Sequence, residues 1–285
     1  MHRGPSVPTW DVMIRALRIA LIATGALAAA ALAGTVATVA ALPAIADCFP
    51  LELTRVVLTD GRRQVEMQGM AHLATPRFYQ DVAALVAARR KEGWLVFYEE
   101  VRSDVADPNR GVATVMERMG ATWTPDGGKH PYEIVAGLLG DGLVLQSNAA
   151  ILGAPGPEVR NVDVTLSQLL ASLPPPEAGH DDDPPVDLAE ARAAFDGLPA
   201  WMQERVRAAI RIMLAAGTTS GFAHEALPTA LTLTREALVA DAIRREPARN
   251  ILVLYGQLHL EPIQRRLEAA DAGWRVVRRA TVRAF

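Results

Sequence analysis

Two histidines stand in the same local pattern. Gly69-Met70-Ala71-His72 follows the apolar run Val65 to Met67, and Gly256-Gln257-Leu258-His259 follows Ile251 to Tyr255. Each G-x-x-H lies between a strand-like run and a helical pattern, opened by Pro76 in the first copy and by Pro262 in the second. A glycine at a strand exit permits unusual dihedrals or a close backbone approach. A histidine just before a helix meets the positive end of the macrodipole. That disfavours imidazolium and leaves the neutral ring, the form that binds metal or accepts a proton. Glu99 closes a third apolar run, Trp94 to Tyr98. A carboxylate at the C-terminal end of a parallel strand is where open α/β sheets place their ligands. Three strand ends thus each present a metal-capable group, and short crossovers gather such ends at one crevice.

The elements that must position these groups follow from periodicity. Leu51 to Leu58 and Arg63 to Met67 read as a hairpin with Asp60-Gly61 as its turn. Thr75-Pro76 is an N-cap followed by proline at the first helical position, and Gly93 closes that helix. Asp104 to Lys129 is polar and irregular around a short helical piece, Val112 to Met119, and His130 reads as a surface loop residue. Ile134 to Leu139 reads as helix, Leu143 to Gln146 as extended, and Val159 to Val164 as a strand, with Thr165 capping a helix from Leu166 to Leu170. Leu173 to Val186 is a loop. Its His180 beside Asp181, Asp182 and Asp183 reads as a solvated acidic run. Asp187 caps a further helix, and Pro199 to Ala216 is amphipathic, with Gly217 and Gly221 breaking it. Leu231 to Arg245 is a helix carrying Arg235-Glu236, and Trp274 to Phe285 reads as an arginine-interrupted edge strand. Strands alternating with helices predict an α/β fold with a mixed, partly parallel sheet flanked by helices.

The chain has 285 residues, half of them apolar, and a formal charge of −3, which argues for no nucleic-acid partner. Ile19 to Ala46 holds no charged residue across its 28 positions. About 20 apolar residues suffice for a transmembrane helix. Arg3, Arg15 and Arg18 precede the run, and no Lys or Arg follows until Arg55. The expected organisation is a cytoplasmic segment 1–18, a transmembrane anchor 19–46 and one extracytoplasmic domain 51–285. A cleaved signal peptide is the alternative, since Ala44-Ile45-Ala46 resembles a cleavage site. Cys48 is the only cysteine, which excludes a disulfide framework and a cysteine metal cluster.

Taken in order, these motifs resemble the TraB/GumN family, which is related to TIKI metalloproteases and more distantly to ChaN-like and erythromycin-esterase-like proteins. The resemblance covers Leu51 to Val282. It rests on Gly69 and His72, on Glu99 within Tyr98-Glu99-Glu100-Val101, on Gln146, on Asn161, Asp163 and Thr165, on Arg235, on Gly256, His259 and Leu260, and on Gly273-Trp274. Two positions depart from the family pattern: Glu261-Pro262 stands where a glycine is frequent, and Glu236 stands where Asn or Asp is usual.

The resemblance implies metal-assisted hydrolysis, with a peptide or a small ester or amide as substrate. His72, Glu99 and His259 would be the metal ligands. Two imidazoles and one carboxylate leave positions open for water, lower its pKa and polarise a carbonyl. Nitrogen and oxygen donors without thiolate suit manganese, cobalt, zinc or iron. Arg235 suits an oxyanion or a substrate carboxylate. The esterase branch implies another division of labour, with His72 as general base and no metal. A non-catalytic binding or regulatory protein, or a ChaN-like haem or metal carrier, are the alternatives on the same fold.

Overall fold

The computed structural model describes residues 38–119, 121–124, 129–140, 142–174, 186–220, 228–246 and 249–285. Most of the expected anchor, and residues 175–185 of the acidic loop with His180, lie outside the described residues. Residues 38–47 are helical. Among the described residues, no helix is long and apolar enough to cross a membrane.

The main sheet has six strands: β1 (Glu52–Thr59), β2 (Gln64–Met70), β4 (Leu95–Tyr98), β7 (Val159–Asn161), β9 (Ile251–Gly256) and β10 (Arg275–Arg283), in the spatial order β10-β1-β2-β9-β4-β7. Two short ladders join β3 (Leu73–Ala74) to β6 (Val144–Leu145) and β5 (Ala121–Thr122) to β8 (Val186–Asp187). The helices in chain order are α1 (Pro76–Lys91), α2 (Pro108–Arg118), α3 (Pro131–Leu139), α4 (Asn148–Leu152), α5 (Leu166–Ser172), α6 (Leu188–Asp196), α7 (Ala200–Ser220), α8 (Leu233–Arg244) and α9 (Leu260–Ala270).

Strands β2, β9, β4 and β7 run parallel, and β1 pairs antiparallel with both β2 and β10. The expected mixed α/β sheet is therefore present. Successive strand side chains face opposite sides. Leu95, Phe97, Ile251, Val253 and Tyr255 pack with Val239 and Ile243 of α8 and Ile263 and Leu267 of α9. Val96, Leu252 and Leu254 pack on the other face with Phe78, Val82 and Val86 of α1. A strand covered on both faces reads as a continuous apolar run, which is why ILVLY stands out in the sequence.

Local chemistry fixes the element ends much as read. Thr75 caps α1, Asp187 caps α6, and Thr165 with Gln168 forms a capping box on α5. Gly61 takes φ 86° at the expected hairpin turn, and β10 is an edge strand. Several expectations are corrected. The strand expected over Val159 to Val164 stops at Asn161; Val162 still donates its N–H to the Tyr98 carbonyl, and both Val162 and Val164 are buried. The α7 helix continues through Gly217 to Ser220, and Gly221 lies outside the described residues. Helix α9 starts at Leu260, with Pro262 in its first turn, where a missing N–H costs no internal bond. Helix α2 spans more of the supposedly irregular stretch than expected, and the α8 helix begins at Leu233 after a 3-10 turn over Thr229–Leu231. His130 is exposed but not loose: it caps α3, and Glu133 completes a capping box.

The two G-x-x-H copies also differ. Gly256 ends β9 and leads through a 3-10 turn into α9. Gly69 lies inside β2, paired with Tyr255, and His72 leads into β3 rather than directly into a helix. Gly69 is needed for close approach instead. A Cβ there would stand 2.0 Å from Gln257 Oε1 and 3.1 Å from the Thr54 carbonyl. That Gln257 oxygen accepts the Thr54 N–H at 2.7 Å. Gly69→Ala should therefore cost about 1–3 kcal/mol in urea unfolding, with the loss partly relieved in a Gln257→Ala background. A cost under about 0.5 kcal/mol would contradict this packing account.

Candidate active site at the parallel strand ends

The parallel strands deliver their C-terminal ends to one edge. Met70 pairs with Gly256, and Tyr98 pairs with Leu254. One residue further, Glu99 N–H donates to the Leu254 carbonyl at 3.1 Å, so the ladder itself places Glu99 beside Gly256. The chain leaving β7 continues alongside: Val162 N–H donates to the Tyr98 carbonyl at 3.0 Å, and Asn161 Nδ2 donates to the Glu100 carbonyl at 2.7 Å. Asp163 is thereby brought next to Glu99. Glu100 itself is exposed.

Arg235 is the centre of the cluster. It lies on the buried stripe of α8 that continues with Val239 and Ile243. Its Nε and Nη2 donate to the two Asp163 oxygens at 2.7 and 2.6 Å, and Nη2 also donates to Glu99 Oε1 at 2.6 Å. Tyr255 donates its hydroxyl to Asp163 at 3.2 Å. The Asp163 side chain is fully buried, and those of Arg235 and Glu99 nearly so. The second Glu99 oxygen accepts the Gly256 N–H. Gly256 fits closely here: a Cβ would sit 3.1 Å from Glu99 Oε2 and 3.3 Å from His259 Cδ2. The carboxylate and the His259 ring thus flank one point.

His259 is buried, and its Nδ1 meets Glu236 Oε1 at 3.1 Å. A carboxylate on one imidazole nitrogen fixes the ring's orientation and directs the other nitrogen to its task. Arg235 and Glu236 are consecutive, so one turn of α8 holds both the Glu99 clamp and the His259 clamp. His72 lies at the rim, exposed on one side, with its ring centroid 4.5 Å from that of Tyr132.

The electrostatics tie the rim to the centre. Burial pushes the Glu99 carboxyl up, but Arg235 first, then His259, His72 and the Gly256 N–H, outweigh it and hold it below the ordinary range. Desolvation pulls His72 down, and the Arg235 cation adds to this against the opposing pull of Glu99, so its ring is held neutral. Burial also pulls Arg235 down, yet the Asp163 and Glu99 partners raise it overall. Burial and Asp163 push Tyr255 upward.

The structure therefore brings His72, Glu99, Arg235 and His259 into one electrostatic neighbourhood. Among the described residues, no group of three His, Cys, Asp or Glu is already gathered as an ion cage. Sequence reasoning passed over the roles of Asp163 as the Arg235 anchor and of Glu236 as the His259 partner. Glu236 was visible only as the neighbour of Arg235. A separate cleft of about 560 Å³, lined by Thr75, Arg77, Phe78 and Arg211 among others, shares no residue with the cluster. Comparison with known protein families, with curated proteins and with solved structures finds no match.

Two outcomes follow. Arg235→Ala would leave Asp163 buried without its cation and should cost about 3–5 kcal/mol, and Arg235→Lys should not restore it, because a point charge cannot reproduce the bidentate contact. Urea unfolding of both variants checks this. Because the folded-state value of Glu99 lies below 4.5, its contribution is full above that pH and is lost as pH falls through the lowered value. Acid unfolding of metal-free protein should therefore show a slope in that window that Glu99→Gln reduces.

Proposed function

We propose that this protein is a membrane-anchored, metal-dependent hydrolase of the TraB/GumN type, acting on a peptide or a small ester or amide. The observation that carries the reading is the delivery of two imidazoles and an ionised carboxylate to one sheet edge, beside a guanidinium anchored by Asp163. The uncharged Ile19 to Ala46 run behind three arginines supports a single-pass anchor with the domain outside the cytoplasm.

The donor chemistry fits a divalent ion. Imidazole nitrogen and carboxylate oxygen suit manganese, cobalt, zinc or iron. An ionised carboxylate has about four acceptor positions, and Arg235 and the Gly256 N–H use one each on Glu99. Asp163 and Glu99 set two carboxylates against one guanidinium, so the core of the cluster is formally anionic and attracts a cation. When bound by His72, Glu99 and His259, the ion would supply Lewis acidity and an acidified water.

The chain's own groups supply the rest. Glu236 holds the His259 ring in one orientation. With no ion on it, His72, neutral and reachable from solvent, is instead fit to take a proton from water and pass it to a leaving group. That same property supports the metal-free reading in which His72 acts as general base alone. The described contacts of Arg235 use Nε and Nη2, which leaves Nη1 to meet an oxyanion.

The test compares His72→Ala, His259→Ala and His180→Ala in the full chain at matched folding. The first two should lose bound metal and hydrolysis of a peptide and ester panel, and the third should lose neither. Loss of metal with retained turnover in His259→Ala, together with lost turnover in His72→Ala, would select the metal-free reading. Full turnover by both of the first two variants would overturn the hydrolase.

A further inference from the structure

Four rings run outward from the candidate site. His72 and Tyr132 have centroids 4.5 Å apart at 30°, Tyr132 and His130 are 5.5 Å apart at 26°, and His130 and Trp123 are 6.2 Å apart at 53°. His72, His130 and Tyr132 are exposed, and Trp123 is half-buried. None belongs to the apolar core clusters. A run of partly exposed rings beside a candidate site offers surface on which a further ring can pack.

The rings are held in place by polar devices. His130 Nδ1 accepts the Tyr132 N–H at 3.3 Å as the cap of α3, and Glu133 accepts the His130 N–H at 3.1 Å. Trp123 Nε1 donates to the Lys129 carbonyl at 2.9 Å. Rings fixed this way lose little entropy when a further ring packs against their exposed parts, and aromatic pairs prefer offset or tilted contacts at these separations. The inner end of the run belongs to the chemistry. His72, one of the candidate ligands, lies directly against the Tyr132 ring.

We infer that Trp123, His130 and Tyr132 form a subsite that stacks an aromatic side chain of a peptide substrate next to the scissile bond. The inference rests on the hydrolase reading. Continuity with His72 fixes which part of the substrate lies there. The formally anionic core of Glu99, Asp163 and Arg235 disfavours an acidic side chain in that position. No residue of the subsite takes part in bond cleavage.

The test uses full-length protein and two probes, N-acetyl-phenylalanine amide and N-acetyl-alanine amide, with binding followed by ligand-detected NMR. Matched peptides with Phe or Ala at the same position are then assayed for turnover. The parent and the His259→Ala variant should both bind the aromatic probe more tightly, by roughly 2- to 12-fold for one added stacking contact. Tyr132→Ala should abolish that preference, while Tyr132→Phe, which keeps the ring, should retain it. Trp123→Ala should lower the Phe-over-Ala ratio of kcat/KM, with the change carried by KM for the Phe peptide. Equal binding of the two probes, or a preference that survives Tyr132→Ala, overturns the subsite. Aromatic preference without any turnover keeps the subsite as a binding feature and removes the hydrolase. Turnover without aromatic preference does the reverse.

Discussion

The site depends on one buried guanidinium. Arg235 joins the loop after β7, through Asp163, to the end of β4, through Glu99, and it does so from the opposing helix α8. A buried charge is tolerated only when paired and hydrogen-bonded, and the alternative to pairing costs several kcal/mol. The pairing therefore fixes how helix and sheet ends meet. It also keeps Glu99 ionised at the place where two histidines approach. Structure and chemistry share the same residue, so the cluster is expected to be rigid on one side and chemically useful on the other.

The topology explains why those groups meet. Strand β9, the last of the parallel strands along the chain, inserts between β2 and β4. The ends of β2, β9 and β4 then lie side by side, although their residues are far apart in the chain. Ligand sites of open α/β sheets lie at such carboxyl ends. The Gly256 backbone contributes as well, since its N–H binds Glu99 and its missing Cβ leaves room for both Glu99 and His259.

Much of this was legible in the sequence, for identifiable reasons. The apolar run Ile251 to Tyr255 announced the central strand because both faces are covered. Caps at Thr75, Thr165 and Asp187 announced helix starts because each oxygen satisfies a local donor. The repeated G-x-x-H pointed to the sheet edge where the parallel strands β2, β9 and β4 end, but its first glycine lies inside β2 rather than at a strand exit. Gly69 makes room for Gln257, a residue far along the chain, and no local pattern reports such a contact. The partnerships of Asp163 with Arg235 and of Glu236 with His259 were invisible for the same reason. Both are set by how α8 lies on the sheet. His130 looked like a loop residue because histidine capping is not a usual local signal, although Glu133 three residues on completed the box.

The central claim is that one cation-binding centre is built from separate strand ends. The most direct measurement titrates metal-free full-length protein with Co²⁺, following visible absorption and the imidazole NMR signals together. The account predicts one equivalent bound, with the His72 and His259 signals shifted strongly and in step, and with the binding weakened by Glu99→Gln. Saturation without a shift of either ring, or a shift of one histidine alone, would contradict it.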